Sequence, residues 1–133
     1  METRAKVTTG AALPCEVELE AGGTTRVVVF DQAGDLSDGQ AGPTSTQAVS
    51  AALASCTAVT LRVYAERKGW SLEGLEVEVT TTYEGPNPGL FTVSIGWPSH
   101  LDEEQIERLA RIAGKCPVHR LLTEATGVEI EAA

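Results

Sequence analysis

Positive charge is scarce in this 133-residue chain, which has 10 Lys and Arg residues against 19 Asp and Glu residues and a formal net charge of -9 at pH 7. Proteins that bind nucleic acids or anionic membranes neutralise phosphates with clustered Lys and Arg side chains. The charge balance therefore argues against nucleic acid and against an anionic membrane surface as partners.

The sequence also lacks the signals of a secreted or membrane-spanning protein. The first residues, METRAKVTT, do not combine a basic stretch with an apolar stretch as a signal peptide does. No uninterrupted apolar run reaches the roughly 18 residues that span a bilayer. We therefore predict a cytoplasmic protein with no membrane partner.

Cysteine is rare, and Cys15, Cys56 and Cys116 lie far apart in the sequence. This spacing matches neither a secreted disulfide scaffold nor a CxxC zinc site. A zinc site built from Cys56, Cys116 and His119 would lack a fourth ligand. We predict no metal and no organic cofactor, and in a reducing compartment these cysteines are either core residues or reactive thiols.

Residues 44–68 contain neither Gly nor Pro, and this segment carries no charge before Arg62. Pro43 suits the first turn of a helix, and Gly69 suits the position just after its end. The segment predicts one helix of about seven turns. Because it is apolar or small on nearly every side, we expect it to be buried, in part by the same helix of a second chain.

The remaining segments alternate between β pattern and helical pattern, with glycine and proline between them. They predict an α+β fold in which one antiparallel sheet wraps the central helix, as a single domain over residues 1–133. The predicted strands cover residues 6–8, 15–20, 25–30, 75–83, 90–97 and 128–131, residues 31–42 form a long loop, and two further helices cover residues 101–115 and 117–125.

Two segments resemble the OsmC/Ohr family: GPTSTQAVSAALASCTAVTLRVYAERKGWSLEGLEVEV at residues 42–79 and LARIAGKCPVHRLL at residues 109–122. The resemblance implies an intertwined homodimer with both active sites at the subunit interface. It also implies that Cys56 is a peroxidatic thiol, which attacks a hydroperoxide. Cys116, about sixty residues later, would be the resolving thiol, and an external dithiol or lipoyl-type reductant would restore the pair.

The residues themselves agree with this chemistry in part. Peroxide reduction needs a thiolate nucleophile and a second thiol that condenses with the sulfenic acid. Cys116 directly precedes Pro117, so it can cap the last helix, where amide donors lower the pKa of a thiol. His119 and Arg120 add donors nearby. Cys56 lies within its helix, and its activation would need a cation from elsewhere in the fold.

The chain departs from the family's pattern in the N-terminal part. The characterised peroxidases have a Glu ten residues before the peroxidatic Cys, and an Arg from the N-terminal region pairs with it. Here that position is Thr46, followed by Gln47, and Arg4 and Arg26 are the candidates for the cation. Without such a pair the thiolate is less favoured, so either another basic residue substitutes or the activity is weak.

Two functions therefore stay open at this point. The first is a thiol-dependent peroxidase that reduces small organic hydroperoxides in oxidative-stress defence. Because Cys56 has apolar surroundings, we expect organic hydroperoxides to be better substrates than hydrogen peroxide. The alternative is an OsmC-like dimer with weak or no peroxidase activity that binds a small apolar ligand in the interface cleft. Each thiol also has a purely structural interpretation, which we favour for Cys15, and His119 can be a packing or capping residue.

Overall fold

The computed structural model describes residues 2–10 and 14–131. In chain order their elements are β1 (Thr3–Val7), β2 (Cys15–Ala21), β3 (Thr24–Phe30), α1 (Ser45–Arg67), β4 (Glu76–Glu84), β5 (Asn87–Gly96), α2 (Glu103–Ala113) and α3 (Pro117–Thr123). The chain divides into two compact units, with the boundary after Val49. The α+β class is confirmed, whereas the single domain stays a prediction.

The first unit is an antiparallel sheet with the strand order β1-β2-β3. The turn between β2 and β3 consists of Gly22 and Gly23, whose φ angles are 57° and 80°. A two-residue hairpin turn with positive φ at both positions favours glycine, because a side chain there would clash with the backbone. The second and third predicted strands are confirmed, and the first begins earlier than predicted, at Thr3.

The long loop after β3 is organised by the buried carboxylate of Asp31. This carboxylate accepts hydrogen bonds from the Ser37 hydroxyl at 2.9 Å, the Ala41 amide at 3.1 Å and the Gln32 amide at 2.8 Å. The hydrogen bond from Ser37 is the largest influence on the pKa of Asp31, which is lowered even though burial opposes the charge. The loop therefore has a fixed conformation in which a buried charge is fully hydrogen-bonded.

Helix α1 begins with a capping box formed by Thr44 and Gln47. The Gln47 amide donates to the Thr44 hydroxyl at 3.1 Å, and the Gln47 side chain accepts from the Thr44 amide at 2.9 Å. These bonds satisfy two of the amides that a helix start leaves free. Pro43 lies outside the helix, so its predicted place in the first turn is wrong; its carbonyl accepts from the Asp31 amide at 2.9 Å.

The end of α1 is defined by Gly69, which has a φ of 73°. The Gly69 amide donates to the Glu66 carbonyl at 3.1 Å, and the Trp70 amide donates to the Ala65 carbonyl at 2.8 Å. This pair of bonds is a Schellman motif, which closes a helix on a left-handed residue. The predicted helix over residues 44–68 is thus confirmed to within one residue at each end.

The second unit packs around one stripe of α1, whose buried residues recur every four positions: Leu53, Thr57, Leu61 and Ala65. The last two join Leu101 and Leu109 in the hydrophobic core. Tyr64, Trp70 and Trp97 pack against this cluster, and the rings of Tyr64 and Trp70 meet edge to face at 6.0 Å. The hairpin of β4 and β5 pairs Val77 with Ile95 and Val79 with Val93 on its half-buried face.

The remaining surface of α1 is not buried within one chain. Val59 and Val63 are 58% and 44% exposed, so the prediction of burial nearly all round is wrong for the single chain. Helix α1 is also long and apolar enough to cross a membrane by length and composition. The core helix of a soluble protein meets the same criterion, so this property alone decides nothing.

Two other predictions need correction. The strand predicted at residues 128–131 does not form, and Val128 and Ile130 are 87% and 94% exposed. A strand needs a neighbouring strand for its hydrogen bonds, and this segment pairs with none among residues 2–10 and 14–131. The predicted single sheet is instead two separate antiparallel sheets in the described residues, β1-β2-β3 and β4-β5.

We expect Gly69→Ala to destabilise the protein by about 1–2 kcal/mol, because an alanine in the left-handed conformation brings its Cβ too close to a carbonyl oxygen. Gly114→Ala is the matched control, because Gly114 has a φ of -74°, which an alanine adopts without strain. At both positions an added Cβ has no atom within 4 Å apart from the glycine itself and its chain neighbours, so only the backbone conformation differs. Urea unfolding of both variants measures the difference, and equal stabilities would contradict the role of Gly69.

Candidate redox site

Two of the three cysteines meet in the second unit. Cys56 lies on α1 and is half-buried, and Cys116 lies just before α3 and is 0% exposed. Both are free thiols, and each side chain shifts the pKa of the other. The two thiols that the sequence singled out are therefore neighbours in space.

Cys116 is the N-cap residue of α3, as its position before proline predicts. Its backbone is extended, with φ -60° and ψ 131°, and Pro117 occupies the first position of the helix. Proline fits there because it has no amide hydrogen to leave unpaired. The His119 amide donates a hydrogen bond to the Cys116 sulfur at 3.4 Å. A cysteine thus takes the place that Ser, Thr or Asp usually fills.

The pKa of Cys116 is lowered. Burial is the largest single influence and opposes the thiolate, but hydrogen bonds outweigh it. These bonds come from the Cys56 thiol, the amides of His119 and Val118, and the Thr57 hydroxyl. Each stabilises a negative charge on the sulfur.

The pKa of Cys56 moves in the opposite direction. Burial raises it, and so does the hydrogen bond with Cys116, while the Val118 amide and the Thr60 hydroxyl lower it by less. Cys116 is therefore the more acidic thiol of the pair. A negative charge on its sulfur is stabilised by the neighbouring Cys56 thiol.

The hydroxyl of Thr57 has two possible hydrogen-bond acceptors, the Leu53 carbonyl and the Cys116 sulfur. Its side chain is 2% exposed, and its hydroxyl donates to the Leu53 carbonyl at 2.7 Å. The same hydroxyl is a hydrogen-bonding partner of Cys116. Because a hydroxyl has one hydrogen to donate, the bond to Leu53 competes with stabilisation of the Cys116 thiolate.

The predicted supporting residues have different positions. His119 contributes its amide to Cys116, as described above. Arg120 is exposed, with its side chain 3.8 Å from Glu124. Thr46 and Gln47 belong to the first turn of α1, where the Thr46 hydroxyl contacts that of Thr44 at 3.3 Å.

The arginines of the first unit are paired or exposed on strands. Arg4 on β1 forms an ion pair with Glu20 on β2, and Arg26 on β3 is exposed opposite Leu19. Support of the thiols by Arg4, Arg26, Thr46 and Gln47 stays a prediction. Cys15, at the start of β2, pairs with Phe30 in the sheet.

Three contributors to the site were not identified from the sequence: Thr57, Thr60 and the Val118 amide. A signal for the first two was present, because they carry hydroxyl groups one and four positions after Cys56 in the same helix. Residues four apart share one helix face. The Val118 amide carries no side-chain signal at all, and its role follows from the cap geometry of Cys116.

A cavity of about 600 Å³ lies beside the thiol pair. It is lined by α1, β5, the end of α2 and α3, including Leu53, Thr57, Phe91, Val93, His119 and Leu122. Most of these side chains are apolar, and the volume is in the range of small-molecule sites. Thr57 and His119 thus border both the cavity and Cys116.

These features define an α+β protein with two neighbouring thiols, one of which caps a helix. The chain belongs to the OsmC-like protein family, whose model matches residues 37–131. A comparison with curated proteins finds no match.

Solved structures share the fold. A candidate osmotic stress induced and detoxification response protein from Psychrobacter arcticus 273-4 has a TM-score of 0.70 at 20% identity, over 87% of this chain and 85% of its own. An OsmC-like protein from Mycoplasma pneumoniae has a TM-score of 0.67 at 17% identity, over 92% and 86%. The organic hydroperoxide resistance protein OhrB of Bacillus subtilis has a TM-score of 0.56 at 18% identity, over 90% and 89%.

We expect the two thiols to shift each other's pKa in opposite directions. Cys116→Ala removes a hydrogen-bonding and electrostatic influence that raises the pKa of Cys56, so the Cys56 pKa should fall. Cys56→Ala removes a hydrogen bond that lowers the pKa of Cys116, so the Cys116 pKa should rise. The ultraviolet absorbance of the thiolate against pH measures both without requiring access to the sulfur, in a Cys15→Ser background. Two unchanged profiles would show that the thiols do not interact.

Proposed function

We propose that this protein reduces organic hydroperoxides, with Cys56 as the peroxidatic thiol and Cys116 as the resolving thiol. The observation that carries the proposal is the proximity of the two thiols, each of which shifts the pKa of the other. A disulfide needs close approach of its two cysteines, and this pair starts from that approach. The family supports the proposal, since relatives from Bacillus subtilis and Legionella pneumophila are named organic hydroperoxide resistance proteins.

Exposure assigns the two roles. Cys116 is 0% exposed, whereas Cys56 is half-buried, so a peroxide reaches Cys56 first. Acidity alone would favour Cys116 as the nucleophile, because its pKa is the lowered one. We give access more weight, since a thiolate that a peroxide cannot touch cannot attack it. The Cys116 thiolate then serves as the base that accepts the proton of Cys56.

The proposed reaction balances as follows. The Cys56 thiolate attacks the terminal oxygen of the hydroperoxide, an S–O bond forms, the O–O bond breaks, and Cys56 becomes a sulfenic acid. The departing alkoxide takes the proton held by Cys116 and leaves as an alcohol. The Cys116 thiolate then attacks the Cys56 sulfur, the S–S bond forms, and hydroxide leaves and takes a proton from solvent. The two sulfurs are oxidised by two electrons in total.

An external dithiol, such as a lipoyl-type reductant, returns these two electrons by thiol-disulfide exchange and restores both thiols. We place the cycle in the cytosol, where such reductants keep cysteines reduced. The proposal uses no metal and no organic cofactor.

The raised pKa of Cys56 favours a second candidate, an OsmC-like protein with weak or no peroxidase activity that binds a small apolar ligand. Burial lowers the thiolate fraction of Cys56 at neutral pH. The influences on its pKa named above include no cation to offset that. The apolar cavity beside the thiols supplies the binding site that this candidate needs.

The peroxidase proposal predicts that reduced protein consumes one equivalent of cumene hydroperoxide and loses two thiols. Cys56→Ser should reduce the rate to that of the uncatalysed reaction. Cys116→Ser should stop at a sulfenic acid on Cys56, which dimedone traps, because no resolving thiol remains. Peroxide loss and thiol titre measure these outcomes, and Cys15→Ser is the control that should change neither.

If wild type and Cys56→Ser consume cumene hydroperoxide equally slowly, the peroxidase proposal is wrong and the ligand-binding candidate replaces it. The pH profile adds a second check. Since the Cys56 proton passes to the Cys116 thiolate, the rate should rise with pH as Cys116 loses its proton, and the lowered pKa of Cys116 places this rise at a lower pH than for an ordinary thiol.

We also propose that the protein acts as a homodimer through the exposed face of α1. Ala52, Ser55, Val59 and Val63 recur at helical spacing on this face and are exposed within one chain. Small and apolar residues in such a stripe allow close helix packing, and an exposed apolar stripe of this kind marks an interaction surface. The intertwined arrangement stays a prediction.

We expect Val59→Glu to convert the dimer to a monomer, because a carboxylate in the centre of an apolar interface would be buried without a partner. Thr92→Glu is the control, since Thr92 is exposed on β5. Light scattering after size-exclusion chromatography gives the mass of each variant. A wild-type monomer, or a Val59→Glu dimer of unchanged stability to dilution, would contradict the proposal.

A further inference from the structure

The two neighbouring sulfurs differ in how easily another molecule reaches them. Cys116 is 0% exposed, whereas Cys56 is half-buried. On α1, Cys56 lies at the border between the buried stripe that includes Thr57 and the exposed face that carries Val59. Thiol-disulfide exchange requires contact between an attacking thiolate and one sulfur of the disulfide. A disulfide between these two cysteines is therefore reached from outside at the sulfur of Cys56.

The sulfurs also differ as leaving groups in such an exchange. A thiol of lower pKa leaves a disulfide faster. Cys116 caps α3, where the His119 amide donates to its sulfur at 3.4 Å. A thiolate released at Cys116 is thus stabilised by an amide that is already in place. Cys56 has no such position, and burial raises its pKa.

We propose that the external dithiol attacks the sulfur of Cys56 and expels Cys116, so that the mixed disulfide of the regeneration step forms on Cys56. This inference rests on the proposed function, because it concerns the disulfide that peroxide reduction would form. It adds which sulfur is attacked and which sulfur is released.

The proposed exchange has two steps. A thiolate of the reductant attacks the Cys56 sulfur, a new S–S bond forms, the bond between Cys56 and Cys116 breaks, and Cys116 leaves as a thiolate with the electron pair. The second thiol of the reductant loses its proton to solvent and attacks the reductant's own first sulfur. Cys56 then leaves as a thiolate and takes a proton from solvent. The dithiol is oxidised by two electrons, and the protein disulfide is reduced by two.

The opposite order is disfavoured on both counts. Attack on Cys116 would require the reductant to reach a sulfur with no exposed surface. It would also require Cys56, whose pKa is raised by burial, to leave as the thiolate. Access and acidity favour different thiols as the nucleophile toward peroxide, but they favour the same order of events in reduction. The helix cap at Cys116 therefore serves the reduction of the disulfide directly.

The test maps the first exchange in Cys15→Ser protein whose disulfide is formed with diamide, so it requires no peroxide turnover. The probe is 2-mercaptoethanol, which has no second thiol to complete the reaction. Acid stops the exchange at early times, N-ethylmaleimide then labels the free thiols, and mass spectrometry locates both groups. Cys116 lies between Lys115 and Arg120, so trypsin releases it on a short peptide without Cys56.

We expect 2-mercaptoethanol on Cys56 and N-ethylmaleimide on Cys116, in about tenfold excess over the reverse pattern, since access and leaving-group acidity favour the same order. Early sampling is needed because the Cys116 thiolate can return and expel the monothiol. Equal amounts of the two patterns at the earliest times, or an excess of the reverse pattern, would overturn the proposal.

Thr57 provides a test of the leaving group. Hydrogen bonds outweigh burial at Cys116, and the Thr57 hydroxyl supplies one of them. Thr57→Val keeps the shape of the side chain without the hydroxyl, so the Cys116 pKa should rise and release of Cys116 by 2-mercaptoethanol should slow by about threefold. Thr57→Ser keeps the hydroxyl and should recover most of the rate. A raised Cys116 pKa, measured by thiolate absorbance, without slower release would contradict the proposed leaving group.

The inference and the proposed function can fail separately. A 2-mercaptoethanol adduct on Cys56 in a protein that does not consume cumene hydroperoxide would support the order of exchange and reject the peroxidase. Peroxide consumption together with an adduct on Cys116 would reject this inference alone. If neither diamide nor peroxide joins Cys56 to Cys116, both are wrong.

Discussion

The packing of α1 through one stripe of residues is the constraint on which the second unit depends. Leu53, Thr57, Leu61 and Ala65 recur every four positions, and the two halves of this stripe serve different parts of the unit. Leu61 and Ala65 form the core with α2, whereas Leu53 and Thr57 face the cavity. Cys56 adjoins the stripe, so the core packing that fixes the rotation of α1 also fixes the direction of its thiol.

The thiol pair shows how two identical side chains acquire different chemistry from their positions. Cys116 lies at a helix start, where backbone amides point toward its sulfur. Cys56 lies within a helix, where the backbone amides are already bonded, so burial dominates its pKa. One thiol is then acidic and enclosed, and the other is accessible and less acidic. The proposed division of labour follows from this difference.

Sequence patterns predicted the features that local chemistry determines. Residues 44–68 contain no Gly or Pro and are followed by Gly69, and this pattern located α1. Pro117 indicated that Cys116 caps α3. The failures concern features that depend on distant parts of the chain. An apolar alternation at Val128 and Ile130 predicted a strand, but a strand needs a partner edge. The Nδ1 atom of His119 is enclosed without a hydrogen-bond partner among residues 2–10 and 14–131, and no pattern in the sequence reveals which side chains enclose it.

Pro117 has a consequence for how this site can vary among related proteins. Pro117 affects the thiol site because it has no amide hydrogen in the first turn of α3. Any other residue there would add one more N–H group near the buried sulfur and would loosen the fixed φ. The acidity of a thiol can therefore change through a neighbour whose side chain never touches it, so two proteins with identically placed cysteines need not have thiols of equal reactivity.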